Sequence, residues 1–600
     1  MDRRTFTKLL AGAAAMPITE IKAVPMAKTV RPAGHRRLRT FNYDGVRLLP
    51  GPFQRQFAEA ERVYEGLADD ALLYGFRQRA GLSPSGESLG GWYGNDIFNA
   101  FGQFVGGMAR MAKADPESGL RAKVDRLIGE WGKAIGQDGY FFYSRKPNAY
   151  HYFYEKMMGG LNDAYEYLGN EQAPVLASRI TDWAITHLDR RRTPASSRNP
   201  VGGDGIGDNE WYTLAENLYR AYELTGDAKY AAFARTWHYD SYWDGYIEGR
   251  PAVDGLHAYS HVNTLSSAAM AYGVTGDAKY LRCIVNAYDF LQDTQCFATG
   301  GYGPGERLED PGGGLGEALE DQMRTFETPC GSWAGFKLSK YLMEFTGESR
   351  YGDWIERLMY NGIGAALPVR SNGDTFYYAD YRKSGGLKFY HWKQWPCCSG
   401  TYPQAVADYH DIIYFHDNEG LFVNLYLPSQ VTWRRDDTPD GIVRLRQETN
   451  YPDDGVVSFT LEIAHGASFP LSFRIPAWAG NDVSIKVNGV DADVAVVPGA
   501  WATIRRGWSS GDRIQLLIPP RLRLAPIDHQ HPDRVAVVQG PAVLVASGGR
   551  GPSRQLLTQW RGTPGSTLPP SAVNAIHRQF VRFQAIDAGL PYLMYFDLPA

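Results

Sequence analysis

Leu214, Leu218 and Tyr222 fall four residues apart, and so do Ile355, Met359 and Ile363. That spacing puts apolar side chains on one face of an α-helix. A near-repeat accompanies it: ELTGDAKYAAFARTW (Glu223–Trp237) and GVTGDAKYLRCIV (Gly273–Val285) share TGDAKY, with looser copies in YLGNEQAPVLA and FTGESRYGDWIERL. In each copy a glycine, at position 169, 226, 276 or 347, ends one helix as its C′ residue. An Asn, Asp or Glu beside it caps the next helix. Helical hairpins recurring about every 50 residues predict a helical solenoid or a closed α/α barrel. Loops rich in Trp and Tyr, such as GGWYGND (Gly90–Asp96), favour the closed form with a lined pocket.

Near residue 418 the helical period gives way to short β-rich runs. These are LFVNLYL (Leu421–Leu427), VSFTLEI (Val457–Ile463), PLSFRI (Pro470–Ile475), VSIKVNGV (Val483–Val490), RIQLLI (Arg513–Ile518) and RVAVV (Arg534–Val538). Asn488-Gly489, Gly511-Asp512 and Gly540-Pro541 mark turns between them, and the whole predicts an antiparallel β-sandwich. Residues 548–572, rich in Gly, Pro, Ser and Thr, predict a linker before a short β-like end at LPYLMYFDL. The expected division is a helical domain over 40–417, a β-sandwich over 418–546, and a linker with a small C-terminal β unit over 547–600.

A chain of 600 residues has core enough to fold without disulfide staples. Its net charge of −4 and the lack of a long Lys/Arg run leave a nucleic-acid partner no electrostatic footprint. Aromatics reach 13%, with 37 Tyr and 15 Trp, which suits stacking on sugar rings and suits a large packed core equally. The N-terminus, MDRRTFTKLLAGAAAMPI, carries Arg3-Arg4, Phe6 and Lys8 before an apolar stretch too short to span a bilayer. It resembles a Tat-type export signal, expected over residues 1–27, which predicts a protein folded before it reaches the periplasm or the exterior. No later segment is apolar enough to be an integral membrane helix.

The five cysteines, Cys283, Cys296, Cys330, Cys397 and Cys398, are an odd number, and two of them are adjacent in WPCCSGT. In TFETPCGSW, Thr328 is the expected N-cap and Pro329 the first helical residue, so Cys330 lies in a first turn, where the helix end favours a thiolate. Glu327, Cys330, Cys397 and Cys398 would supply one carboxylate and three thiolates, a donor set suited to tetrahedral Zn2+. Small buried hydrophobic cysteines are the alternative. Glu306, in the glycine-rich TGGYGPGE, is a candidate acid, and Glu317, in LGEALE, is its rival. His257 and His261, four residues apart in GLHAYSH, read as pocket residues or as a structural pair. Trp92 and Tyr378 are candidate sugar contacts among the aromatic stretches.

VRLLPGPF (Val46–Phe53), ADDALLYGFRQRAGL, MGGLNDAYEYLGN, GLHAYSH, TGGYGPGE, FETPC, YGDWIERLMYNGI, PCCSGT, GLFVNLYLPSQVTW, FRIPAWAG, VNGV and VAVVQGP follow one another along nearly the whole chain. In order and spacing they resemble the bacterial β-L-arabinofuranosidase family, glycoside hydrolase family 127. The resemblance implies an (α/α)6 barrel catalytic domain followed by β-sandwich domains, with zinc held by a Glu and three Cys. By position, Cys397 is then the nucleophile, Cys398, Cys330 and Glu327 the other metal ligands, Glu306 the general acid/base, and His257 a residue of the sugar pocket. The implied activity is a retaining exo-hydrolase that frees a terminal furanose, β-L-arabinofuranose, from an oligo- or polysaccharide through two displacements.

Three positions depart from the family pattern. The family reads Glu-Thr-Cys where this chain inserts Pro329, which raises the question of whether Glu327 still reaches the metal. NDIFNAFGQFVGG, after the Gly-Trp motif, has no histidine, and Glu155 stands where relatives carry His before Lys156. Glu155 therefore joins the candidate sugar contacts. Two other readings compete: a barrel hydrolase or lyase with carboxylate catalysis and structural zinc, and a non-catalytic sugar-binding relative. The oligomeric state is open, a homodimer included.

Overall fold

A computed structural model describes residues 35–599 except 95–98, 146, 148–149, 191–209, 436–440, 550, 561–566, 569–575 and 577–578. The expected export signal lies outside the described residues.

Six helices close a ring: Phe101–Ala114, Tyr150–Leu168, Leu214–Thr225, Ala258–Thr275, Thr328–Thr346 and Cys397–Ala407, each packed on the next and the last on the first. A second helix backs each of them from outside: Leu120–Ala134, Gln172–His187, Ala228–Thr236, Ala278–Thr294, Gly352–Asn361 and Pro52–Glu65. This is the closed form of the two architectures that the repeats allowed, an (α/α)6 barrel. The inner helices are buried almost all round, Cys397–Ala407 along its entire length, whereas the outer ones bury a stripe, such as Tyr280, Cys283, Ile284, Ala287, Tyr288 and Leu291. All four repeat glycines take left-handed φ, between 69° and 76°. Asp227 and Asp277 cap the helices that follow, their carboxylates accepting from the Lys229 and Lys279 amides at 3.0 Å.

Because outer helices return the chain between inner ones, all six inner helices run in the same direction. Their N-termini gather at one end of the barrel and their C-termini at the other. A short sheet of Phe326–Glu327, Phe376–Ala379 and Lys388–Tyr390 lies at the N-terminal end.

Two sheets form the sandwich beyond residue 414. The larger runs in the order Val46–Leu48, Ser429–Arg434, Ile442–Thr449, Val456–Ile463, Arg513–Leu517, Ser484–Val487, Val490–Asp491. The smaller runs Trp501–Trp508, Ala467–Arg474, Leu421–Val423, Tyr414–His416. Phe459 packs on Phe473 and Trp433 on Phe469 across the interface, at centroid distances of 5.0 and 5.5 Å. The described pairings are antiparallel except that of Ala467–Arg474 with Leu421–Val423.

Two details differ from the expected division. Val46–Leu48 and Tyr414–His416, both within the stretch assigned to the barrel, pair with Ser429–Val431 and Leu421–Val423 and so belong to the sandwich. The boundary expected at 546/547 falls inside a third sheet, in which Leu522–Pro526, Arg534–Gln539 and Ala542–Ser547 pair with one another and with Phe580–Arg582, Tyr592–Leu593 and Tyr595–Asp597. Hydrogen bonds between strands distant in sequence make this unit, and the short helix Arg554–Trp560 stands within the predicted linker.

Candidate active site

The cysteines occupy the N-terminal ends of two neighbouring inner helices. Cys397 and Cys398 open the Cys397–Ala407 helix behind Pro396, and Cys330 sits in the first turn of Thr328–Thr346. Neither helix has a side-chain cap, so its free amides and the positive end of its dipole face the sulfurs. The N-cap is Glu327, one residue earlier than the Thr328 expected from sequence, because Pro329 is tolerated in the first turn and Thr328 already begins the helix. Pairing with Tyr378 fixes the Glu327 backbone. The inserted proline thus leaves the carboxylate in reach: Glu327 Oε1 lies 3.5 Å from Cys397 Sγ and 3.3 Å from Cys398 Sγ.

The sulfurs of Cys330 and Cys397 are 3.9 Å apart, and those of Cys330 and Cys398 3.2 Å. Two thiolates at about 2.3 Å from a tetrahedral ion stand about 3.8 Å apart, and a thiolate and a carboxylate oxygen about 3.5 Å. One ligand atom from each of the four residues lies within 4.8 Å of every other. The cluster therefore fits a metal ion, and its donors are buried. Burial pushes the Glu327 carboxyl and the Cys330 and Cys398 thiols well up. Burial alone would raise Cys397 too, but hydrogen bonds from Cys330, Cys398 and Tyr377 outweigh it and hold this thiol well below its ordinary range.

Tyr377 and Tyr378 are neighbours on a strand, yet both reach the site. A register irregularity between Phe376 and Tyr378 breaks the alternation that would send them to opposite faces. The Tyr377 hydroxyl is 3.1 Å from Cys397 Sγ, and that of Tyr378 donates to Glu306. Glu306 sits at φ 65° after Gly303 and Gly305, at φ 79° and 60°. A Cβ on Gly303 would come within 2.3 Å of the Ala258 side chain, so this close approach requires glycine. His257, the N-cap of Ala258–Thr275, links the groups. Its Nε2 is 3.6 Å from Glu306 and 3.8 Å from Glu327, and its Nδ1 is 2.8 Å from Ser260 Oγ. Burial opposes its charge, but the nearby Glu306 and Glu210 carboxylates prevail and raise its pKa.

The remaining candidates lie around this core in different settings. Glu155 is buried, accepts from Asn217 at 2.7 Å and pairs with Lys156 at 2.6 Å. Trp92 packs against His391 with centroids 4.7 Å apart. His261 is set one turn along the helix from His257, between Tyr212 and Tyr242, and burial lowers its pKa to about 3. Glu317 is exposed on Gly314–Asp321, whose Gly316 amide donates to Asp528.

Tyr377, Thr401, Glu210 and His391 escaped sequence reasoning. Thr401 Oγ1 is 3.1 Å from Cys330 Sγ, one turn below the cysteine pair. Buried Glu210 lies 3.7 Å from His257 Nδ1, and burial raises its carboxyl to about 7. Thr401, four residues after Cys397, had a readable helical spacing; Glu210 had no local signal.

Comparison with known proteins bears on this arrangement. A family model described as β-L-arabinofuranosidase, GH127 catalytic domain, matches residues 45–411, and one described as the GH127 middle domain matches 420–520. Among solved structures, the chain is similar to a GH127 β-arabinofuranosidase at TM-score 0.69 and 17% identity, over 94% of this chain and 98% of that one. It is similar to a GH127 β-L-arabinofuranosidase from Geobacillus stearothermophilus T6 at TM-score 0.67 and 18% identity, over 92% and 99%. No curated protein sequence matches.

Proposed function

This chain belongs to the GH127 β-L-arabinofuranosidase family of glycoside hydrolases, and on that premise we propose that it is a retaining exo-enzyme releasing terminal β-L-arabinofuranose through Cys397. The observation that carries the reading is the placement of one activated thiol. Cys397 meets Glu327 and Cys330 on one side and Tyr377 on another, while His257 ties Glu327 to Glu306.

In the first step Cys397 Sγ attacks the anomeric carbon as the glycosidic C–O bond breaks, and the Glu306 carboxyl gives its proton to the departing oxygen. In the second, the Glu306 carboxylate takes a proton from water, whose oxygen forms the new C–O bond as the C–S bond breaks and the thiolate returns. Two inversions leave the anomeric configuration unchanged. Tyr378 orients Glu306 by its hydrogen bond, Tyr377 holds Cys397, and His257 faces the sugar from the cap of its helix. Glu327, Cys330, Cys397 and Cys398 would hold Zn2+, which when bound keeps the thiolates deprotonated and makes a thiolate a better leaving group. The substrate is the non-reducing end of an oligo- or polysaccharide, and a Tat-type signal would deliver the folded enzyme to the periplasm. Among the described residues no helix is long and apolar enough to cross a membrane.

Metal analysis together with intact mass after incubation with an arabinofuranosyl epoxide tests the reading. A bound zinc equivalent and an adduct mapped to Cys397 are expected; the absence of both would reject the reading.

A further inference from the structure

Among the described residues, Trp392 is the aromatic side chain that stands out to solvent, 60% exposed in a molecule whose other tryptophans are buried or half-buried. Its indole stacks on His391 with centroids 3.9 Å apart, and His391 packs on Tyr377, whose hydroxyl reaches Cys397. The Arg324 guanidinium lies 4.7 Å from the Trp392 ring centroid and 5.5 Å from that of Tyr378, which donates to Glu306. Two routes of direct contact therefore run from the exposed indole, one to the proposed nucleophile and one to the proposed acid. Arg324 is itself exposed, has no ion pair among the described residues and is held at φ 60°, a backbone strain that a non-glycine residue adopts only under constraint.

Resting on the mechanism proposed above, the geometry points to Trp392 and Arg324 as the subsite for the leaving-group sugar, the ring on the far side of the bond that is cut. The departing oxygen must meet Glu306, which gives it a proton, so the leaving group emerges beside Tyr378 and the arginine laid over it. A sugar ring offers C–H edges and hydroxyl oxygens. An exposed indole with guanidinium donors resting on it supplies an apolar wall and hydrogen bonds together. Arg324 contacts the indole rather than a carboxylate, which leaves its N–H groups available to a ligand.

The test compares two substrates: a disaccharide with a β-L-arabinofuranosyl non-reducing end, and methyl β-L-arabinofuranoside, whose leaving group is too small to reach Trp392. In Trp392→Ala the ratio of kcat/KM for the disaccharide to that for the methyl glycoside is expected to fall roughly tenfold, about 1.4 kcal/mol. Trp392→Phe, which keeps an aromatic wall, restores most of the ratio. A ratio unchanged in Trp392→Ala overturns the assignment while the parent's turnover of the methyl glycoside leaves the mechanism standing. A fall equal for both substrates, or a change of oligomeric mass with the ratio intact, overturns it as well by making Trp392 a structural or interface residue. A parent that cleaves neither substrate rejects the arabinofuranosidase reading itself.

Discussion

The two ends of the barrel are built differently. At the C-terminal end of the inner helices the chain turns within a few residues, as at Gly226-Asp227 and Gly276-Asp277, and charges are matched. Arg110 pairs with Asp163 and Asp408 at 2.8 and 3.0 Å, Arg220 with Asp163 at 2.7 Å, and Lys340 with Asp411 at 2.8 Å. Arg36, from the segment preceding the first strand, inserts between Glu223 and Glu344 at 3.3 and 3.5 Å. Cations there face the negative ends of helix dipoles. At the N-terminal end the connections are long, as over 295–327 and 362–396. Among the described residues, four of the seven non-glycine residues with positive φ, Glu210, Glu306, Arg324 and Trp395, stand on that side, and Glu327 Oε2 has no hydrogen bond. One end is braced by matched ion pairs that hold the ring closed; the other gathers thiols and carboxylates with few cations among them, a donor set that suits a metal and a substrate.

Cys397→Ala breaks this contrast from the functional side. Loss of the proposed nucleophile is expected to cut turnover of an arabinofuranoside by about 10^4-fold or more, with little change in the unfolding midpoint, because the far end keeps its ion pairs. Steady-state rates and thermal unfolding on the same preparation measure both halves. Residual activity within tenfold of the parent would remove Cys397 from the mechanism.

Asp163→Ala is the reciprocal change. Asp163 is wholly buried and shared between Arg110 and Arg220, so its removal takes one carboxylate from each guanidinium and leaves Arg110 to Asp408 and Arg220 to Glu166. Denaturant unfolding should show a loss of about 2–3 kcal/mol, while kcat per folded molecule stays near that of the parent. A large drop in kcat at constant stability would show that the two ends are coupled.

The ends also titrate with opposite sign. His410, just past the last inner helix, is buried and its pKa is lowered to about 4. The unfolded chain then binds the proton more readily, so the stabilisation present above pH 6.5 is lost as pH falls toward 4. Glu210, at the site end, is raised to about 7 by burial, so its contribution is present below about 4.5 and is lost as pH rises through 7. Between pH 5 and 7 each is worth about 2 kcal/mol. Unfolding curves across that range should gain a more negative slope with pH in His410→Asn and a more positive slope in Glu210→Gln. Identical slopes in parent and variants would contradict the burial argument for both residues.

Legibility in the sequence follows the same division. The far end was readable because its turns obey local rules: glycine supplies the left-handed residue, aspartate the cap, and the repeat reports both several times over. Within the site, the cysteines, Glu306, Glu327 and His257 could be named from motifs, but what joins them depends on tertiary placement. Tyr377 reaches Cys397 only because the strand is irregular beside Tyr378, and nothing in TFYYAD signals that irregularity. Glu210 enters the site because two inner helices bring it beside His257. The C-terminal sheet was divided in the wrong place for a related reason: its strand partners, Ala542–Ser547 and Phe580–Arg582, are separated by a stretch whose composition resembles a linker.

The smallest expected effect tests how local the far end is. Asp277 accepts from the Lys279 amide at 3.0 Å as the cap of Ala278–Thr294, and Asp227 does the same for Ala228–Thr236. Each substitution by Ala removes one acceptor from a helix end and should cost about 1 kcal/mol. The two caps sit on different outer helices with no shared partner, so the double variant should lose the sum of the single losses. Activity should not respond, since neither cap touches the inner ring at its N-terminal end. Urea unfolding of the two single variants and the double variant, with kcat/KM on each, settles this. Additive losses with constant kcat/KM mean that the scaffold tolerates damage at one end without passing it to the other, whereas a change of kcat/KM beyond threefold would mean that even a solvent-exposed cap is felt through the length of the barrel.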